Sequence, residues 1–383
     1  MPTPVILDCD PGTDDAIAIL LALASPELSV LAITVAGGNV GLEHTLANAL
    51  ALTKLAGSAV PVHAGAHRPL LGAFTSETRI HGENGLGGVM LPPGGPPTPG
   101  LAADVIRETL RTAAEPVTLI GIGPATNLAL ALTTEPALTA HVEQIVVMSG
   151  AWAEGNVTPA AEFNAWSDPE ALAILLACGR PVIFATLELT AQALTTPVRV
   201  AAWRGLGTGR CLRAAADIQA TVPASTRLGG IGAPLHDPCA VAWLIRPDLF
   251  TIRRCSARMD LGPGPSRGRT LIDRWNRTGD ALNAAVLETV DADALFELLG
   301  ERIARLPCPH RQAVAIAPSL DIFCESAHDA RSCTNRVIAR HLVAAKRCFR
   351  GNPPWPQNWN PRSPTSRFGS PTSNARPTLC SPA

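Results

Sequence analysis

Tyrosine is absent from this 383-residue chain, and lysine nearly so: arginine supplies 29 of the 31 basic residues, leaving only Lys54 and Lys346. No basic face clusters in the first 307 residues, so the arginine bias gives no footing for nucleic-acid binding. No uncharged apolar span reaches the roughly 18 residues of a membrane helix, and no basic stretch precedes an apolar one at the N-terminus. The expectation is a soluble, cytoplasmic protein with no membrane partner. Ten cysteines are present, but they are scattered and form no Cys-x-x-Cys pair or zinc-type Cys/His spacing. They read as free thiols in a reducing compartment. Charged residues are scarce at 16%, whereas hydrophobic residues make up 46%, ample for a core.

The net charge of −1 hides an asymmetry. Residues 1–307 carry 21 Lys and Arg against 29 Asp and Glu, whereas residues 308–383 carry 10 against 3. Five of the ten cysteines fall in that second part, whose end is rich in Pro, Ser, Asn and Arg. This composition predicts a globular body over 1–307 and a poorly ordered, basic tail over 308–383.

Within the body, short apolar runs alternate with helical patterns. Val30–Val35, Val60–His63, Val117–Ile122, Gln144–Met148 and Val182–Ala185 read as buried strands. Leu42–Leu55, Asp104–Leu110, Ala125–Leu132 and Pro169–Cys178 read as helices. The alternation predicts an α/β fold, a mostly parallel central sheet with helices on both faces. Ligands in such sheets bind beyond the carboxyl ends of the strands.

The most informative stretch is Val5-Ile-Leu-Asp-Cys-Asp-Pro-Gly-Thr-Asp-Asp-Ala16. Val5 to Leu7 form a strand, Pro11-Gly12 break it, and a helical pattern follows. Asp8, Asp10, Asp14 and Asp15 therefore crowd one strand-to-helix turn. A helix N-terminus accounts for one or two carboxylates. The others need a cation, because like charges a few Å apart resist joint ionisation. A hard, oxygen-seeking ion such as calcium or magnesium fits that requirement.

Later strand ends carry further polar blocks. Thr34-Val-Ala-Gly-Gly-Asn39 is either a simple turn or a place where backbone and Asn39 approach a ligand closely. His81-Gly-Glu-Asn-Gly-Leu-Gly-Gly88 has four glycines in eight residues and reads as a mobile, lid-like loop. Gly121-Ile-Gly-Pro-Ala-Thr-Asn127 opens a helix but fits neither a P-loop nor a dinucleotide fingerprint. Gly155-Asn-Val-Thr-Pro-Ala-Ala-Glu-Phe-Asn164 offers Asn156, Glu162 and Asn164, the last two on one side of an extended segment and suited to sugar hydroxyls. Asp168-Pro169 is an ordinary helix start, so Asp168 is structural. In Leu235-His-Asp-Pro238, His236 is the group able to donate a proton near neutrality. The segment from Thr195 to Gly232 carries little signal.

Asp-x-Asp-Pro-Gly-x-Asp-Asp-Ala, the Gly-Asn-x-Thr-Pro block and His-Asp-Pro together resemble the inosine-uridine-preferring nucleoside hydrolases, over about residues 3 to 306. The resemblance implies a Rossmann-related fold and hydrolysis of the N-glycosidic bond of ribonucleosides, within purine and pyrimidine salvage. It implies one Ca2+ held by Asp10, Asp15, Asp237 and the Thr126 backbone carbonyl, leaving positions for a water and two vicinal ribose hydroxyls. Asp10 would be the base and His236 the leaving-group acid. Asp14, Asn39, Asn156, Glu162 and Asn164 would hold the ribose, and His81 would lie near the base. Family members form homodimers or homotetramers. Several contact the base through a tyrosine, which this chain lacks, so base preference does not carry over. Two alternatives remain: a haloacid-dehalogenase-type phosphatase, suggested by Asp8-Cys-Asp10 but short of a suitable lysine, and a catalytically silent calcium- and ribose-binding homologue.

Overall fold

Val5, Ile6 and Leu7 are fully buried in strand β1 (Thr3–Cys9). Burying each contributes roughly 2 kcal/mol, which secures a strand that also carries Asp8 into the interior. The computed structural model describes residues 1–307 and the two-residue strand Ala315–Ile316. The remainder of the expected poorly ordered tail lies outside the described residues.

The strands that follow are β2 (Leu28–Val35), β3 (Val62–Ala64), β4 (Val89–Met90), β5 (Val117–Gly121), β6 (Val142–Met148) and β7 (Val182–Ala185). Then come β8 (Leu194–Thr195), β9 (Ala233–Pro234), β10 (Phe250–Met259), β11 (Thr270–Asp273), β12 (Ala284–Val290) and β13 (Ala315–Ile316). Nine of them form one sheet in the order β11-β10-β12-β7-β6-β5-β1-β2-β3. From β3 to β12 every pairing is parallel, and β10 runs antiparallel to both of its neighbours. β4 pairs with β13, and β8 with β9, as separate two-stranded ribbons.

Side-chain alternation sends Val5, Leu7 and Cys9 into one core and Ile6 into the other. Helices Asp15–Ala24, Leu42–Leu55 and Ala292–Ala304 cover the first face, and Ala102–Thr112, Thr126–Thr134 and Pro169–Ala177 the second. Burial on both faces explains why the strands read as continuous apolar runs. β1 lies between β2 and β5, so successive connections leave it in opposite directions. The crevice at such a switch point is where open α/β sheets bind ligands, and Asp10 follows directly after β1.

One local expectation is corrected here. Glu162 and Asn164 do not share an extended segment: Glu162 caps a short helix, Phe163–Ser167, and Asn164 lies inside it. The Glu162 carboxylate accepts the backbone N–H groups of Asn164 (2.8 Å) and Ala165 (3.0 Å), which turns the chain into a helix at that point.

Candidate active site

The turn after β1 folds its carboxylates inward. Asp15 accepts hydrogen bonds from the backbone of Asp10 (3.1 Å) and Gly12 (2.9 Å), so its side chain closes the turn preceding its own helix. Asn39, at the end of β2, donates its backbone N–H to Asp10 Oδ2 (2.7 Å) and its amide to Asp15 Oδ2 (2.9 Å). Two glycines make room for Asp10: a Cβ on Gly38 would lie 2.0 Å from Asp10 Oδ2, and one on Gly123 2.4 Å from Asp10 Oδ1. Close approach therefore accounts for both glycine-containing turns.

Asp237 arrives from the other side, at the start of the helix Pro238–Ile245. Carboxylate oxygens of Asp14, Asp15 and Asp237 lie within 4.8 Å of one another. Asp10 is not in that tight group, but its Oδ1 is buried with no hydrogen-bond partner among the described residues. None of the four pairs with a Lys or Arg among the described residues. Burial first, and neighbouring carboxylates second, push Asp10 and Asp237 well above the usual carboxylate range. The same causes, burial and then the Asp14 charge, raise Asp15 to about 7. An all-oxygen, strongly anionic, uncompensated donor set of this kind fits a hard divalent cation.

Asp8 has a supporting place. Its Oδ1 accepts from Thr34 Oγ1 (2.6 Å) and Asn127 Nδ2 (2.8 Å), tying β1 to β2 and to the helix Thr126–Thr134, while burial raises it to about 7. Thr126 turns its hydroxyl to Asp168 Oδ2 (2.6 Å) and does not line the cavity. Ile122, at the head of the same turn, does. Asp168 is the helix cap expected of it, accepting from Ala171 N at 3.1 Å.

Through Asp14 and Asp237 the carboxylate cluster opens into a cavity of about 500 Å³, with Asp10 and Asp15 buried behind them. Asp14, Asn39, Asn156, Glu162, Asn164 and His236 all line it. Glu162 is held by four donors, including Gly150 N (2.9 Å) and Ser149 Oγ (3.2 Å), and burial raises its pKa despite them. Asn164 spends its amide N–H groups on the carbonyls of Ile122 (3.0 Å) and Met148 (3.1 Å), so its Oδ1 remains as an acceptor. Asn156 Oδ1 accepts from Phe163 N (2.9 Å), which leaves its amide as a donor.

Two histidines face the same space. His81 Nδ1 accepts the Thr13 backbone N–H at 3.1 Å, which places the ring proton on Nε2, and burial lowers its pKa. The glycine-rich loop after it is anchored more firmly than its composition suggests: Leu86 is buried, and Asn48 ties Asn84 O (2.8 Å) to Pro11 O (3.0 Å). His236 Nδ1 lies 2.8 Å from Thr190 Oγ1, itself 3.3 Å from Leu187 O. With the hydroxyl donating to that carbonyl, Nδ1–H donates to Thr190 and Nε2 is the exchangeable position. Burial lowers the pKa of His236, opposed by the charge of Asp14.

Part of the cavity wall comes from the segment that carried little signal. Gln219 bridges Thr13 O (2.8 Å) and Thr195 Oγ1 (3.2 Å), and Val222, Leu228 and Arg227 face the cavity. The one sequence clue was Gln219 itself, a buried amide in an Ala-rich helix. Thr190 behind His236 had none.

The chain belongs to the inosine-uridine preferring nucleoside hydrolase family, whose model matches residues 5–297. It is thus a nucleoside hydrolase, acting on ribonucleosides. Pyrimidine-specific ribonucleoside hydrolase RihA of Salmonella gallinarum is 42% identical over 307 residues, 79% of this chain and 99% of that relative. Among solved structures, the purine-preferring ribonucleoside hydrolase from Gardnerella vaginalis superposes with a TM-score of 0.74 at 33% identity, covering 79% of this chain and 99% of its own. The plant nucleoside hydrolase PpNRh1 gives 0.72 at 32% identity, covering 80% and 100%. These relatives' names point to opposite bases, so similarity alone does not assign one here.

Proposed function

We propose that this enzyme is calcium-dependent, with Asp10 as the base and His236 as the leaving-group acid. The observation that carries the reading is a buried, unpaired cluster of carboxylates opening into the cavity that His236 also lines. Asp10, Asp15 and Asp237 hold the ion with a backbone carbonyl from the turn after β5. The resemblance assigns that carbonyl to Thr126, whereas Ile122 is the residue of the turn that lines the cavity. Calcium, when bound, supplies the positive charge that offsets these carboxylates and orients vicinal ribose hydroxyls.

The chain's own residues do the rest. Asp10, fixed through Oδ2 by Asn39, takes the proton of the attacking water on Oδ1, the atom left without a partner. Asp14, Asn39, Glu162, the Asn156 amide and Asn164 Oδ1 bind the ribose and favour its oxocarbenium-like distortion. Water's oxygen bonds to C1′ as the electron pair of the C1′–N bond passes to the base. His236 acts as the imidazolium, favoured by the charge of Asp14: it gives its Nε2 proton to the base and keeps Nδ1–H on Thr190, while His81 contacts the base from the loop side.

Family membership removes the phosphatase alternative, and Lys54 is exposed, its ammonium donating to Pro93 O at 2.8 Å. The same reading includes a cytoplasmic homodimer or homotetramer serving nucleoside catabolism; no helix among the described residues is long and apolar enough to cross a membrane. Incubation with inosine, uridine and cytidine should release ribose and free base with calcium present, and none after dialysis into metal-free buffer. Calcium and ribose binding without release would instead identify a silent homologue.

A further inference from the structure

Two arginines line the cavity among the described residues: Arg79, which is exposed and held by both oxygens of Glu77, and Arg227, from the 222–228 segment. Arg227 has about half its side chain exposed at the rim. Its Nη1 donates to Gly155 O at 2.6 Å, and its Nε lies 3.8 Å from Glu154. The first contact tethers the guanidinium to the loop that carries Asn156. Nearby, Gln219 is engaged at both ends of its amide, and His81 and His236 each have Nδ1 engaged, with Thr13 and Thr190, which leaves each ring only its Nε2 for a ligand. A guanidinium has five N–H donors in a planar fork, so Arg227 keeps donors for a ligand. The neighbouring lining from Ile80, Leu187, Val222 and Leu228 is apolar, which strengthens a charge contact made against it.

We propose that Arg227 is a base-contacting catalytic residue, whose guanidinium takes up the negative charge that builds on the departing base as the C1′–N bond breaks. This rests on the hydrolytic reading above. The bond's electron pair moves onto the base nitrogen and is delocalised to its carbonyl oxygens. Arg227 donates N–H groups to those oxygens, whether the base departs protonated by His236 or as the anion. A neutral nucleoside in the ground state presents less charge to the same fork, so the contact strengthens toward the transition state.

The test compares Arg227→Gln and Arg227→Lys with the unaltered enzyme on uridine, 5-fluorouridine and p-nitrophenyl riboside. Arg227→Gln should lose roughly 10- to 100-fold on uridine, the scale of one charge-assisted hydrogen bond, and the loss should fall on kcat with little change in KM. It should shrink on 5-fluorouridine and nearly vanish on the nitrophenyl riboside, whose leaving group needs least help. Arg227→Lys, which keeps the charge, should recover part of the loss. Equal losses on all three substrates would overturn the assignment and leave Arg227 a tether for Gly155. A measurement without turnover separates this inference from the hydrolytic reading. The unaltered protein should bind anionic 5-nitrouracil more tightly than neutral uracil, and Arg227→Gln should lose that preference. Loss of the preference in a protein that hydrolyses no nucleoside would sink the hydrolytic reading and leave Arg227 standing. A preference unchanged in Arg227→Gln would overturn Arg227 whatever the turnover.

Discussion

Metal-free enzyme should become less stable as pH rises from 5 to 8, and calcium should cancel that trend. Asp15 is raised from an ordinary 3.8 to about 7, by burial first and the Asp14 charge second. At about 1.4 kcal/mol per tenfold, ionising it inside the empty cluster costs on the order of 4 kcal/mol more than in the unfolded chain. The folded carboxyl binds its proton more tightly than the unfolded one. Its stabilising contribution is therefore complete below about pH 4 and is lost as pH climbs through about 7. Asp10 and Asp237 are raised as well and titrate with it as a group, so the loss spreads over the interval between. For a body of this size the melting temperature should fall by on the order of 10 °C. Calcium at a hundred times its dissociation constant returns about 2.7 kcal/mol, and most at high pH, because binding displaces protons. Calorimetry in metal-free and calcium-containing buffers at several pH values reads both curves. Asp15→Asn should flatten the metal-free curve, raise its high-pH end and abolish the calcium response. A metal-free melting temperature that stays level or rises from pH 5 to 8 would refute the claim that these carboxylates are held together against their charge.

The two proton-transfer roles separate by leaving group. His236→Ala should cost roughly 10²–10⁴-fold on a natural purine nucleoside and far less on p-nitrophenyl riboside, whereas Asp10→Ala should damage both alike; equal losses for His236→Ala would reduce that residue to positioning. Gly38→Ala places a Cβ 2.0 Å from Asp10 Oδ2, so it should depress activity and calcium affinity together, and normal calorimetric calcium binding would contradict the packing. Truncation after Pro307 removes only the β4–β13 pairing among the described contacts. Kinetics and melting temperature should change little, and a truncated chain that fails to fold would show that residues beyond 307 complete the core.

Those predictions draw on residues of different sequence legibility, and the reason is physical. Leu42–Leu55 and Val182–Ala185 match their expected bounds because apolar period and breakers act locally. Asp10, Asp14 and Asp15 were readable because four carboxylates in one turn have no cheap structural explanation. Asp168, the helix cap, was readable because Asp-Pro at a helix start has one. Glu162 and Asn164 line the cavity from a short helix and not from the expected extended segment, since a carboxylate capping its own next turn competes with extension and leaves no mark in apolar periodicity. Thr190 and Arg227 leave no mark in the sequence, and Gln219 only a faint one, for another reason. Each acts through partners distant in the chain: Thr190 through His236, Gln219 through Thr13, and Arg227 through Gly155. A polar side chain on a short helix or loop looks alike in sequence whether it meets water or a cavity, and only the sheet's switch point, which brings β1, β2, β5 and β6 to one rim, decides which. The end of the site proposed to hold the ribose is thus written in motifs that contact one another through backbone turns. The end proposed to meet the base is assembled by tertiary packing, from side chains whose partners lie far away in the chain.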